Sequence, residues 1–197
     1  MRLNRSMMPL VIPALRDPEH WRMLGEGRGR WVFILGGKVD RVAEGVALLQ
    51  KRQWRVFVHI DMVKGITNDS EGVQFFYDFA GPEGIITTHA HTVTHAHKLG
   101  MVTIQRIFLL DSQSVESGVA QVEHAGPDAV EVLPGILPEI VRALVHRLKE
   151  PVIAGGLVTS VSHIQQIHMA GALSVSTSTL QLMDAITDPP NQFPAIM

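Results

Sequence analysis

Two short segments near the end of the chain carry the residue types that hold an anion. Pro151-Val-Ile-Ala-Gly155-Gly156-Leu157 is an apolar run ending in two glycines, and Ser174-Val-Ser176-Thr177-Ser178 ends in small hydroxyl residues. Glycine lets main-chain amides approach an anion closely, and a helix N-terminus adds positive potential. Gly155, Gly156, Ser176, Thr177 and Ser178 are therefore the candidate phosphate cradle. The alternative is that the glycines only end a strand tightly and the hydroxyls face solvent.

A second group could read the rest of such a ligand. Asp61 and Glu131 lie at or within apolar runs, where a carboxylate must be paired or hydrogen-bonded. Each could accept hydrogen bonds from ligand hydroxyls, or serve as scaffold, with Arg106 as the partner. Gln105 and Arg106 are consecutive on a strand, so only one can face inward, and the pattern leaves open which. Arg106 is a candidate clamp for phosphate or carboxylate. His59 shares the face of Asp61 and is either a ligand contact or a satisfied core residue.

Four histidines in His89-Ala-His91-Thr-Val-Thr-His95-Ala-His97 invite a metal reading. His91 and His95 have the spacing that shares a helix face. The stretch contains no carboxylate to act as third ligand or general base, so a solvated helix is the better reading and no metal or cofactor is implied.

What must position these residues is an alternation of short apolar runs and helical patterns. Strands are expected at Val11–Ala14, Trp31–Leu35, Arg55–Asp61, Gly84–Thr88, Met101–Phe108, Ala129–Leu133, Pro151–Leu157 and Ser174–Ser178. Helices fill the gaps, for example Val39–Arg52, Asp69–Phe79 and Pro138–Lys149. Apolar runs bounded by Gly or Pro fit parallel strands buried on both faces. Eight such units predict a small (β/α)8 barrel, with an open doubly wound sheet as runner-up. Barrels of this kind commonly place a phosphate site in the loops after strands seven and eight, where the cradle falls.

Composition narrows the classes. With 46% hydrophobic and 18% charged residues, the chain is expected to form one barrel domain over about residues 9–185, with 186–197 as a tail. The absence of cysteine excludes disulfides and thiolate metal sites. No apolar run approaches the roughly 20 residues of a membrane span, so a cytoplasmic protein is expected. A net charge of −2 gives no global footprint for nucleic acid, and the local basic candidates are Arg2, Arg5, Arg22, Arg28 and Arg30.

The motifs also carry a resemblance. His59-Ile-Asp61, Thr103-Ile-Gln105-Arg106-Ile-Phe-Leu-Leu-Asp111-Ser112, Glu131-Val-Leu-Pro134-Gly135, Ile153-Ala-Gly155-Gly156-Leu and Val175-Ser176-Thr177-Ser178 follow in that order. Together, over roughly residues 9–180, they resemble the glycerol uptake operon antiterminator family. That resemblance implies a small barrel that takes glycerol 3-phosphate as effector, binds the leader mRNA of glycerol genes and performs no turnover. A homo-oligomer is compatible with it. The chain departs from the family pattern at His89, Lys64 and Lys38, which bears on loop charge near the ligand and on the RNA-facing surface. The rival reading is a phosphosugar isomerase or lyase, with Asp61 or Glu131 as general base.

Overall fold

The computed structural model describes residues 8–179 and 181–182. The expected tail, and the basic candidates Arg2 and Arg5, lie outside the described residues.

Eight parallel strands close into a barrel in sequence order. They are β1 Val11–Leu15, β2 Trp31–Ile34, β3 Arg55–His59, β4 Gly84–Thr87, β5 Val102–Phe108, β6 Ala129–Leu133, β7 Val152–Gly155 and β8 Ser174–Thr177. Between them run α1 Pro18–Met23, α2 Val39–Lys51, α3 Ser70–Ala80, α4 Ala90–Lys98, α5 Ser112–Ala125, α6 Pro138–Arg147 and α7 Val161–Met169. Pairing of β1 with β8, Val11 beside Val175 and Ile12 beside Ser176, closes the ring and excludes the open sheet.

Strand ends differ from expectation where the chain begins its turn. β3 stops at His59, and Ile60–Met62 forms a 3-10 turn that carries Asp61. β4, β7 and β8 likewise end before Thr88, Gly156 and Ser178. A further pair of two-residue strands, Gly37–Lys38 and Val63–Lys64, links the loops after β2 and β3. The sequence reading had no place for it.

Alternation along the strands builds two kinds of core. Inside the barrel, Ile12, Trp31, Phe33, Phe57, Ile86 and Ile104 are among the residues that fill the lower and middle layers. Trp31 lies 4.4 Å from Phe57 between ring centroids, and Phe33 meets Phe57 edge-on at 5.9 Å. Burying each such side chain stabilises by about 1.5–3 kcal/mol, so this interior is a plug and not a pore. The opposite strand faces pack against the helices, with Val130, Val132, Val119 and Ile167 in one outer cluster and Val56, Val58, Val46 and Phe76 in another.

Local chemistry starts and stops the helices. Asp69 caps α3 by accepting from the Gly72 amide at 2.8 Å, and Gly81 ends that helix in a left-handed conformation. Asp111 and Ser114 form a reciprocal capping box at the start of α5.

Candidate functional site

Above the apolar layers, buried charged and polar residues gather at the C-terminal end of the barrel. The inward-facing residues of its top layer are His59, Arg106, Glu131, Gly155 and Ser176. Register neighbours set this layer: Arg106 lies beside Glu131, and Ser176 beside Gly155.

A buried polar chain forms the floor. Arg106 donates from Nε to Glu131 Oε2 at 2.8 Å and pairs from a terminal nitrogen at 2.7 Å. Ser176 donates its hydroxyl to Glu131 Oε1 at 2.6 Å. Arg106 is 7% exposed and Glu131 1%, so each charge depends on the other for compensation. Gly155 is required beside them: a Cβ there would collide with the Ser176 hydroxyl and come within 3.0 Å of Glu131.

The strand-five ambiguity is resolved by packing. Ile107 touches the position where Gly118 of α5 would carry a Cβ, so its face of the strand meets the helices. Gln105 shares that face and is fully buried, and neither of its amide atoms has a partner among the described residues. Gln105 therefore does not reach the mouth, and its place among the ligand candidates is corrected. Thr177 also points outward, where its hydroxyl donates to the Val158 carbonyl at 2.8 Å. It straps the two cradle tips together, and its side chain is not a ligand donor.

Gly156 has φ +76° and Leu157 φ +61°, so two successive left-handed residues turn the chain sharply off β7. Ser160 then caps α7, accepting from the His163 amide at 3.2 Å, and that helix N-terminus opens at the same end of the barrel. Ser178 follows β8 and is exposed.

Asp61 does not lie in strand three, and its carboxylate is spoken for. It accepts from the Thr87 hydroxyl at 2.6 Å, the Thr88 amide at 2.7 Å and the Thr88 hydroxyl at 2.8 Å. Burial pushes this carboxyl up, but those bonds together outweigh it and hold Asp61 below its ordinary value. The residue acts as a staple between the turn after β3 and the tip of β4. Thr87 and Thr88 were missed from sequence because nothing local signals their long-range partner.

His59 is 3% exposed, and its Nδ1 is buried without a partner among the described residues. Burial first, then the positive charge of Arg106, lowers its pKa to about 4, with Asp61 opposing. The ring is thus neutral at pH 7. Because the folded pKa lies below the unfolded value, this group's contribution to stability is complete above about pH 6.5 and lost as pH falls toward 4. Urea unfolding should show the wild type losing up to about 3 kcal/mol more than His59→Phe across that window. Equal losses in the two proteins would rule out His59 as the source. Asp61 adds a loss of the same sign only below its ordinary carboxylate range.

The histidine cluster separates. His89 and His91 stack at 5.4 Å, and His91 meets His95 at 6.2 Å. His97 turns to the other end of the barrel, where Nε2 meets the Thr103 hydroxyl at 2.7 Å and Asp128 at 3.1 Å. Among the described residues no group of three His, Cys, Asp or Glu side chains is placed to hold a metal. Of the basic candidates, Arg22 and Arg28 are exposed at the N-terminal end, away from the mouth. Arg30 donates to the carbonyls of Gly27 and Glu26 and lies 4.9 Å over the Trp54 ring. No described helix is long and apolar enough to cross a membrane.

Comparison with known proteins agrees with this architecture. A glycerol uptake operon antiterminator regulatory protein from Listeria monocytogenes superposes with a TM-score of 0.82 at 32% identity, covering 89% of this chain and 95% of that one. A glycerol uptake operon antiterminator-related protein from Thermotoga maritima gives 0.78 at 32% identity, covering 90% and 99%. YgcP of Escherichia coli K12 is 28% identical over 168 residues, covering 85% of this chain and 88% of YgcP. Orotidine 5'-phosphate decarboxylase from Pyrococcus horikoshii, at 15% identity and a TM-score of 0.63, shares the fold alone. The family model of the glycerol-3-phosphate responsive antiterminators matches residues 11–183, which span all eight strands, and the chain belongs to that family.

Proposed function

We propose that this protein is a regulator that takes glycerol 3-phosphate into the barrel mouth as an effector and acts on leader RNA to prevent termination. The phosphate would sit on the main chain of Gly155, Gly156 and Ser178, at the α7 N-terminus, with Ser176 below it. The glycerol end would lie over Arg106 and Glu131 and reach toward neutral His59 across the ring. The carrying observation is that both mouth carboxylates are already engaged: Asp61 by three donors, Glu131 by Arg106 and Ser176. Of the roughly four acceptor positions of a carboxylate, three are filled on each, which leaves little capacity for taking a proton from a substrate. This arrangement binds and orients, so it supports an effector site over the isomerase or lyase reading. An effector needs to bias two states by only about 1–3 kcal/mol to regulate.

Calorimetric titration tests this directly, with glycerol and inorganic phosphate as controls and NMR of the ligand after prolonged incubation. Selective binding of unchanged glycerol 3-phosphate is the expected result. Conversion of the ligand would move the protein to the enzyme class, and no heat of binding would remove the effector.

A further inference from the structure

One stretch of the rim above this site is rich in basic residues. Arg16, Lys38, Lys64 and His89 follow β1, β2, β3 and β4 or lie in the loops after them, and all four are exposed. Lys38 and Lys64 are direct register partners in the small two-stranded sheet. Like charges opposite each other across a strand pair are destabilising unless something neutralises them. Neither lysine takes part in an ion pair among the described residues. The pair is held firmly, because Gly36 packs so closely on Met62 that no Cβ would fit. Arg16 directly follows β1, and its positive charge opposes protonation of His59.

The acids of this half are mostly committed. Asp17 and Asp69 accept main-chain amides at helix starts, Asp61 is bonded to Thr87 and Thr88, and Asp40 lies in the first turn of α2. At the end of β5, the next strand round, Phe108 stands 45% exposed. Five residues separated by 92 positions of sequence are thus assembled into one basic arc ending in an aromatic face. Four strand ends span about 14 Å at the usual strand spacing.

We propose that this arc, Arg16, Lys38, Lys64 and His89 running into Phe108, is the docking surface for single-stranded RNA. The lysines meet successive backbone phosphates, and an unpaired base stacks on Phe108. A small phosphate ester does not account for the arc. In a ring of eight, β2 and β3 lie opposite β6 and β7, so the paired lysines stand across the mouth from the cradle. The inference rests on the leader-RNA reading above and gives that reading a surface. It also puts RNA and effector at the same end of the barrel, where one can bias the other.

The test uses the full chain and a fluorescein-labelled, mixed-sequence 20-nucleotide single-stranded RNA, followed by anisotropy from 50 to 200 mM salt. Lys38→Glu/Lys64→Glu should weaken binding at least about 10-fold and lower the slope of log K against log salt by about 1.4, two contacts at roughly 0.7 each. Phe108→Ala should weaken binding about 5-fold or more with the slope unchanged. Lys51→Glu, on the exposed side of α2, should change neither, and Lys38→Gln/Lys64→Gln should fall between wild type and the reversal. Wild type that binds RNA while the lysine variants match it would overturn the surface and leave the RNA reading standing. Wild type that ignores the RNA would overturn both. Loss of glycerol 3-phosphate binding in the lysine variants, measured without RNA, would assign these residues to the effector and also overturn the proposal.

Discussion

Glu131→Ala should destabilise the barrel by about 3–5 kcal/mol, the largest stability loss expected of any single change in the mouth. The variant leaves the Arg106 guanidinium buried at 7% exposure without its counter-charge and removes the acceptor of the Ser176 hydroxyl. A double variant, Arg106→Leu/Glu131→Leu, should recover most of that loss, since a buried pair replaced by apolar side chains is often neutral or better. Urea unfolding midpoints measure both. A single variant losing less than about 1 kcal/mol would show that Arg106 finds water or another partner. Ligand titration of the double variant then separates two roles that stability alone merges. If the pair is scaffold, the refilled barrel binds glycerol 3-phosphate as before. If Arg106 and Glu131 touch the ligand, binding is lost although the fold has returned.

Gly156→Val should cut affinity for glycerol 3-phosphate by about 100-fold or more, equivalent to about 3 kcal/mol, through loss of several anion contacts at once. Gly156 has φ +76°, a conformation costly for a β-branched residue, and its Cβ would press on Leu133 at 3.3 Å. The tip of β7 would therefore have to move, carrying its main-chain amides out of line. It is a loop position beyond the strand, so circular dichroism should show an intact barrel. Unchanged affinity in the folded variant would sink the assignment of phosphate to the β7 and β8 tips. Gly155→Ala tests the same end from below but is a poorer probe, because its Cβ would strike the Ser176 hydroxyl and disturb the floor itself.

The proposed coupling of effector and RNA has a simple physical basis in this layout. The small sheet bearing Lys38 and Lys64 grows from the loops after β2 and β3, and the second of these also carries Asp61. Asp61 staples its turn to the tip of β4, beside His89. A ligand reaching His59 thus meets the same short segment that positions much of the basic arc.

Much of this was legible in the sequence because it rests on local chemistry. Eight apolar runs, each closed by glycine, proline or small polar residues, can only be buried as strands, and the helical patterns between them force parallel pairing. The strand ends at Gly155-Gly156 and Ser176–Ser178 were legible for the same reason: their residue types say what backbone they permit. Other decisions depend on residues far apart in the chain. Both faces of β5 are buried, so alternation could not say whether Gln105 or Arg106 enters the barrel. Contact with Gly118 of α5 decided it. Glu131 and Ser176 are 45 positions apart, and only barrel closure brings them together. Asp61 closes an apolar run that reads as a strand, yet the chain turns after His59 and brings its carboxylate to Thr87 and Thr88. Lys38 and Lys64 face each other only because the loops after β2 and β3 meet at this end of the barrel. Burial patterns and turn chemistry are properties of a few neighbouring residues, and the sequence by itself determined those. Which charge meets which is set by ring closure and helix packing, and that only the tertiary structure decided.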